Sequence, residues 1–281
     1  MGMSSFGCKV CVTGGAGYIG SWLVKKLLQK GYTVHATLRN LDDVSKVSLL
    51  KSLPDADARL VLFEADIYNP IEFESAIEGC EFVFHVATPL QHTENSQYKN
   101  TTEAAIAGAK SIAESCLKSG TVKRLIYTAS VVAASPLKED GSGFGDFMDE
   151  TCWTPLHLSF ACSNVHLKYQ SLRFLEELLG KIPIIHIDDV CDAHIFCIEN
   201  PSINGRFLCA SSFVSSAEIA SYYQQHYPKF QVKPEYLDGP TREIGLGSTK
   251  LIEKGFVYKY DTKMILEDCI KCARTRGDTG L

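Results

Sequence analysis

The chain has 281 residues, 45% of them hydrophobic and 22% charged, with a formal net charge of −5. That length suits one large domain or a domain with a smaller lobe, and the composition is that of an ordinary folded protein. The acidic balance and the lack of a long basic block argue against a nucleic-acid partner, and no apolar run is long enough to span a membrane.

The opening residues, "MGMSSFGCKV", contain no apolar secretory core. Phe6 also stands where a myristoylation signal wants Ser or Thr, so a cytoplasmic protein is expected. The next hundred residues alternate between two hydrophobic periods. Short apolar strands are expected at 8–14, 32–39, 58–66, 80–87 and 122–130. Helices are expected between them, at 18–31, closed by Gly31, at 41–53, at 70–79 behind Pro70, and at 100–120. Such alternation predicts an α/β fold with a doubly wound parallel sheet.

After Ser130 the rhythm changes. Residues 135–155 are polar and rich in Gly and Pro, and read as a loop. A helix follows at 166–180, then a brief strand "KIPIIHI" and a helix at 188–200 ended by Pro201. Another helix opens with a capping box from Ser215 to Glu218, and two more lie near 247–255 and 261–276. The expected division is a dinucleotide-binding half at 1–165 and, at 166–281, the remaining sheet elements with a small, mostly helical lobe.

Eleven scattered cysteines fit free thiols in a reducing compartment. Cys8 and Cys11 fall in one strand, where positions three apart face opposite ways. Cys269 and Cys272 share a helix face, but no second pair of ligands follows, so no metal site is expected. "HIDDVCDAH", with His186, Asp188, Asp189 and His194, reads better as capping and packing residues than as a metal centre.

The strongest signal is "VCVTGGAGYIGSWL". It sets Gly14, Gly17 and Gly20 between a strand and a helix, where backbone amides can approach a pyrophosphate at the positive helix end. Tyr18 and Ile19, inside the same turn, are placed with the cofactor. The second strand ends in Arg39, with no acid between His35 and Asn40. A cation there suits the 2′-phosphate of NADP rather than the ribose hydroxyls of NAD, and Lys46 adds a second positive charge. Asp66, with Ile67 beside it, ends the third strand and is placed near the adenine; a plain turn role fits Asp66 equally well.

Taken together, "TGGAGYIG", "HVATPL", "VKRLIYTAS" and "HIDDVCDAHI" resemble the plant dihydroflavonol reductase and anthocyanidin reductase group of the extended short-chain dehydrogenases. The likeness covers residues 8–168 and 181–276. It implies NADPH-dependent reduction of a carbonyl or activated double bond in a phenolic small molecule. It places Ala87, Thr88 and Pro89 along the cofactor and makes Ser130 the catalytic serine. It also calls for a proton-donating tyrosine in a Tyr-x-x-x-Lys helix, the lysine lowering the phenol's pKa from its ordinary value near ~10.

No Tyr-x-x-x-Lys occurs in this sequence. Tyr169 alone is followed four residues later by a Lys or Arg, and that residue is Arg173. Arginine supplies the charge but is planar and permanently protonated. In the group, a stretch like 171–190 comes well after the catalytic helix; here it follows almost directly, as if an internal block were missing. Two functions are therefore carried forward: a flavonoid-type NADPH reductase using Ser130 and Tyr169, and an NADP-binding variant impaired in catalysis. A sugar-nucleotide epimerase is a distant third.

Overall fold

The structure is a computed structural model that describes residues 7–90, 96–158, 170–229, 231–237, 242 and 244–276. The chain forms two compact units. One runs to Thr128 and also takes in Val190–Ile203; the other comprises Ala129–Asp189 and the chain from Asn204 onwards.

The first unit is built on β1 (Lys9–Thr13), α1 (Tyr18–Gln29), β2 (Thr33–Leu38), α2 (Val44–Lys51), the one-turn α3 (Ala56–Arg59), β3 (Leu60–Glu64), α4 (Phe73–Ile77), β4 (Phe82–His85), α5 (Thr101–Ser119) and β5 (Arg124–Tyr127). The five strands are parallel, in the order β3-β2-β1-β4-β5. This is the doubly wound arrangement that the alternation predicts. Central β1 buries Val10, Cys11 and Val12 completely, as a strand covered on both faces must.

Leu23, Val24, Leu27 and Leu28 of α1 are also fully buried, each stabilising the fold by roughly 1.5–3 kcal/mol. Gly31 ends this helix in the left-handed region at φ 86°, where a Cβ would be strained. On the other side of the sheet, Ile67, Phe73, Ile77, Val83 and Ile112 pack around Cys11, Cys80 and Cys116. Burial raises the pKa of these three thiols, so they act as small apolar core groups.

The second unit contains β6 (Phe147–Met148), α6 (Gln170–Leu179), β7 (Ile182–Ile184), the start of α7 (Ile187–Glu199), β8 (Ser212–Val214), α8 (Ser216–His226), β9 (Gly245–Leu246), α9 (Lys250–Glu253) and α10 (Thr262–Arg276). β6 pairs with β9 and β7 with β8, as two separate two-stranded ribbons. Met148, Leu178, Leu179, Leu208 and Ile244 form its core. The expected capping box at Ser215 and Glu218 starts α8. Glu176 of α6 is 1% exposed and accepts from the amide (2.7 Å) and hydroxyl (2.6 Å) of Ser216, which fixes α6 to the first turn of α8.

Had "KIPIIHI" replaced a lost sheet strand, it would lie beside β5. It does not. Ile182–Ile184 runs antiparallel to β8, with Pro183 opposite Phe213. Proline has no N–H to give to a ladder, which suits a two-stranded ribbon better than a sheet interior. Among the described residues, β5 is thus the edge of the five-stranded sheet.

From Val190 onwards, α7 belongs to the first unit. Lys26 and Asp192 join it to α1 at 2.7 Å, and Lys30 reaches Glu199 at 2.7 Å. The Arg124 guanidinium, at the start of β5, donates to the carbonyls of Cys197, Asn200 and Pro201. A cation there meets the negative end of the helix and satisfies carbonyls that the helix leaves open.

Candidate active site

The glycine turn is closed by its own backbone. Gly14 N donates to Thr37 Oγ1 at 3.1 Å, Gly15 N to Thr37 O at 2.9 Å, and Gly17 N to Gly14 O at 2.9 Å. Gly14 sits at φ 69°. A Cβ on it would come 3.1 Å from Ala87 Cα, one on Gly15 2.8 Å from Ala36 Cβ, and one on Gly20 only 2.2 Å from Gly14 O. These close approaches explain why a side chain is excluded at all three.

The first ladder bond of α1 runs from Ser21 N to Gly17 O, so the amides of Ile19 and Gly20 have no ladder acceptor. Gly17 is the N-cap and offers no side chain, and no acid occupies the first turn. Among the described residues no side-chain cap and no first-turn acid meets the positive helix end, the arrangement that accepts an anionic diphosphate. Tyr18 stands beside it, 73% exposed.

Thr13 and Thr37 carry much of this geometry, and the glycine spacing alone did not single them out. Their signal was available: hydroxyls at the ends of two neighbouring strands, one directly before the first glycine. Thr13 Oγ1 accepts from the amides of Val86 and Ala87, both at 3.0 Å, and lies 3.0 Å from His85 Nδ1. It therefore sets the loop of Ala87, Thr88 and Pro89 against Gly14.

At the end of β2, Arg39 is exposed, and no hydrogen bond or ion pair holds its guanidinium to a described residue. Lys46 differs. Its Nζ lies 2.9 Å from Asp43 Oδ2, so its charge is already partnered. Asp43 caps α2, and bonds from Ser45 and Lys46 hold its pKa down to about 2. Asp66 turns the chain by accepting from Tyr68 N at 3.0 Å, the plain turn role. Ile67 is buried, with its Cδ1 only 2.4 Å from where a Cβ on Gly108 would lie. Ile67 is thus packed against α5.

The residues expected for chemistry belong to the second unit. Ser130 is exposed and N-caps the short 3-10 turn Val131–Ala133, its Oγ accepting from Val132 N at 3.3 Å. α6 packs on that turn through Phe174, Leu175, Leu178 and Leu179 against Val131, Val132 and Ala134. Tyr169 lies outside the described residues, one position before α6. Arg173 is in the first turn of α6 and half-buried.

Every member of the "HIDDVCDAH" cluster is occupied. His186 stacks on Tyr260 at 3.7 Å and lies 3.2 Å from Asp268. The Tyr260 hydroxyl donates to Asp188 at 2.7 Å, and fully buried Asp189 accepts from the amides of Lys259 and Tyr260. In the first unit, His194 Nδ1 lies 2.7 Å from Val190 O, which can only accept, so that nitrogen carries the proton. Nε2 then accepts from the Thr128 hydroxyl at 2.7 Å, and burial lowers the pKa of the ring.

Comparison with known proteins gives the same picture. The 3-beta hydroxysteroid dehydrogenase/isomerase family model matches residues 11–147. Dihydroflavonol 4-reductase from Solanum lycopersicum is 32% identical, over 95% of this chain and 82% of its own length. Anthocyanidin reductase from Arabidopsis thaliana is 31% identical, over 96% and 95%. That alignment runs to 327 positions, more than the 281 residues of this chain, so the relative carries residues that are missing here. The crystal structure of vestitone reductase from alfalfa superposes with a TM-score of 0.75 at 30% identity, covering 96% of this chain and 99% of that one. The chain belongs to the dihydroflavonol 4-reductase and anthocyanidin reductase family of extended short-chain dehydrogenases/reductases, as a shortened member.

Proposed function

We propose that the chain binds NADP(H) on the Gly14–Gly20 turn and reduces a carbonyl or related group of a flavonoid or similar phenolic molecule. One observation carries the cofactor half of this reading: a helix N-terminus with no side-chain cap and no first-turn acid, behind glycines at which a Cβ does not fit, with Ala87 closing the other side. Gly14, Gly17, Tyr18, Ile19 and Gly20 line the diphosphate, and Ala87, Thr88 and Pro89 the nicotinamide side. Arg39 meets the 2′-phosphate, and Asp66 and Ile67 border the adenine. Lys46 takes part only by leaving Asp43.

The bound nicotinamide supplies the hydride. The residues of this chain supply the rest. Negative charge grows on the substrate oxygen, and the Ser130 hydroxyl stabilises it by donating a hydrogen bond. Tyr169 gives that oxygen a proton, and the positive charge of Arg173 favours its release. Ser130 is accessible, and α6 packs on the turn that Ser130 opens, which supports the two acting on one oxygen.

Two observations favour a second reading, a binding variant impaired in catalysis: the missing Tyr-x-x-x-Lys and the residues absent relative to full-length relatives. NADPH oxidation in the presence of dihydroflavonols, anthocyanidins and aromatic aldehydes separates the two. A Tyr169→Phe variant should lose roughly a hundredfold or more in kcat, the usual contribution of a placed acid. Turnover unchanged in that variant would remove Tyr169 as the donor, and NADPH binding without turnover in either protein would favour the impaired reading.

A further inference from the structure

His85 is the last residue of β4, 2% exposed, and belongs to none of the groups assigned above. Its Nδ1 lies 3.0 Å from Thr13 Oγ1. That oxygen also meets the amides of Val86 and Ala87 at 3.0 Å each. Amides can only donate, and a hydroxyl has two lone pairs and one hydrogen. Both lone pairs are therefore taken, and the hydrogen points at His85 Nδ1. The ring must be the neutral tautomer with its proton on Nε2. It stacks on Tyr127 with centroids 5.1 Å apart and planes at 28°, which fixes its plane.

We infer that His85 is a positioning residue: by accepting the one hydroxyl hydrogen of Thr13, it turns both lone pairs of that oxygen toward Val86 and Ala87 and holds the 87–89 loop at the height that an NADPH bound on the glycine turn requires. The inference rests on reading that turn as the cofactor site. Without an acceptor at Nδ1, the Thr13 hydrogen is stranded in a fully buried place unless the hydroxyl rotates away and gives up one of the two amides. Ala87 then loosens directly against Gly14, where a Cβ has 3.1 Å to the Ala87 Cα.

His85→Asn puts a carbonyl oxygen near the place of Nδ1, whereas His85→Leu keeps bulk and removes the acceptor. NADPH titration followed by fluorescence should show binding weakened roughly tenfold in His85→Leu and less than about threefold in His85→Asn. In a Thr13→Val background, His85→Leu should add less than about twofold, because groups that act as one unit are not additive. A general packing defect would add its full effect there. Amide exchange in cofactor-free protein gives a second readout, with at least one of the Val86 and Ala87 amides exchanging roughly ten times faster in His85→Leu but not in His85→Asn.

If the wild type binds NADPH and His85→Leu binds it equally well, or if His85→Leu leaves both amides as protected, the inference is overturned. If exchange responds as expected and the wild type ignores NADPH, the orienting role of His85 stands and the cofactor reading of the turn falls.

Discussion

The two units of this chain differ in how completely they show the parts that the family resemblance calls for. In the first, the glycine turn, the helix start and the loop after β4 are braced against one another. The glycines fit only because they lack Cβ atoms, and Thr37 and Thr13 fasten the turn to its two neighbouring strands. In the second, Ser130 heads a 3-10 turn, but the sequence has no Tyr-x-x-x-Lys, and Tyr169 is followed four residues later by Arg173. The chain is also shorter than its relatives. The bonds that brace the glycine turn all lie within the first unit, so its order is expected to be independent of what the second unit lacks.

The sharpest way to break this contrast is Gly20→Ala. The new methyl would stand 2.2 Å from Gly14 O, which belongs to backbone and cannot swing away. Overpacking of this kind costs roughly 1–3 kcal/mol or more, and NADPH binding should fall at least about a hundredfold. Glu176→Ala probes the other unit. It strips two buried donors on Ser216 of their acceptor, so urea denaturation should show about 3 kcal/mol less stability, while NADPH affinity changes less than about twofold. A comparable loss of NADPH affinity would show that the two units are not separable.

Arg39→Ala should cost roughly tenfold in NADPH affinity and leave NADH nearly unchanged, the worth of one charge-assisted phosphate contact. Equal losses for both coenzymes would assign Arg39 a role other than reading the 2′-phosphate. Acid gives a graded effect, on stability rather than on binding. Burial pushes the His85 pKa down to about 4, below the value near 6.5 of an unfolded chain. The unfolded state then binds more protons between these values, so stability is lost as pH falls from about 6.5 to about 4 and is flat above. His194, its pKa also lowered by burial, acts in the same direction. Urea midpoints across that range should show the slope, and His85→Asn should reduce it. Lys46→Ala should do least, under about twofold on NADPH, because its exposed pair with Asp43 must be broken before it can serve a phosphate.

What the sequence disclosed follows the same division. The strand–turn–helix of residues 9–29 was legible because its cause is local: glycine spacing, apolar period and helix start lie within one short stretch. The capping box at Ser215 was legible for the same reason. The ribbons were not. β6 and β9 are two residues each and almost a hundred positions apart, so nothing in the Gly-rich loop around Phe147 announces Gly245 as its partner. The strand "KIPI" was visible, but its neighbour β8 was not, and only tertiary pairing sends it there rather than to the edge of β5. At the site, Arg39 and Lys46 look alike as cations. The difference between them is Asp43, three residues before Lys46, a cap whose claim on the lysine could have been read from that spacing.

Titration calorimetry of the full chain with NADPH and then with NADH tests the binding claim most directly. One site should appear per chain, with NADPH bound at least about tenfold more tightly than NADH, as expected where a guanidinium meets the additional phosphate. Folded protein that gives no heat with either coenzyme, or that prefers NADH, would contradict the reading of the glycine turn on which the proposed chemistry depends.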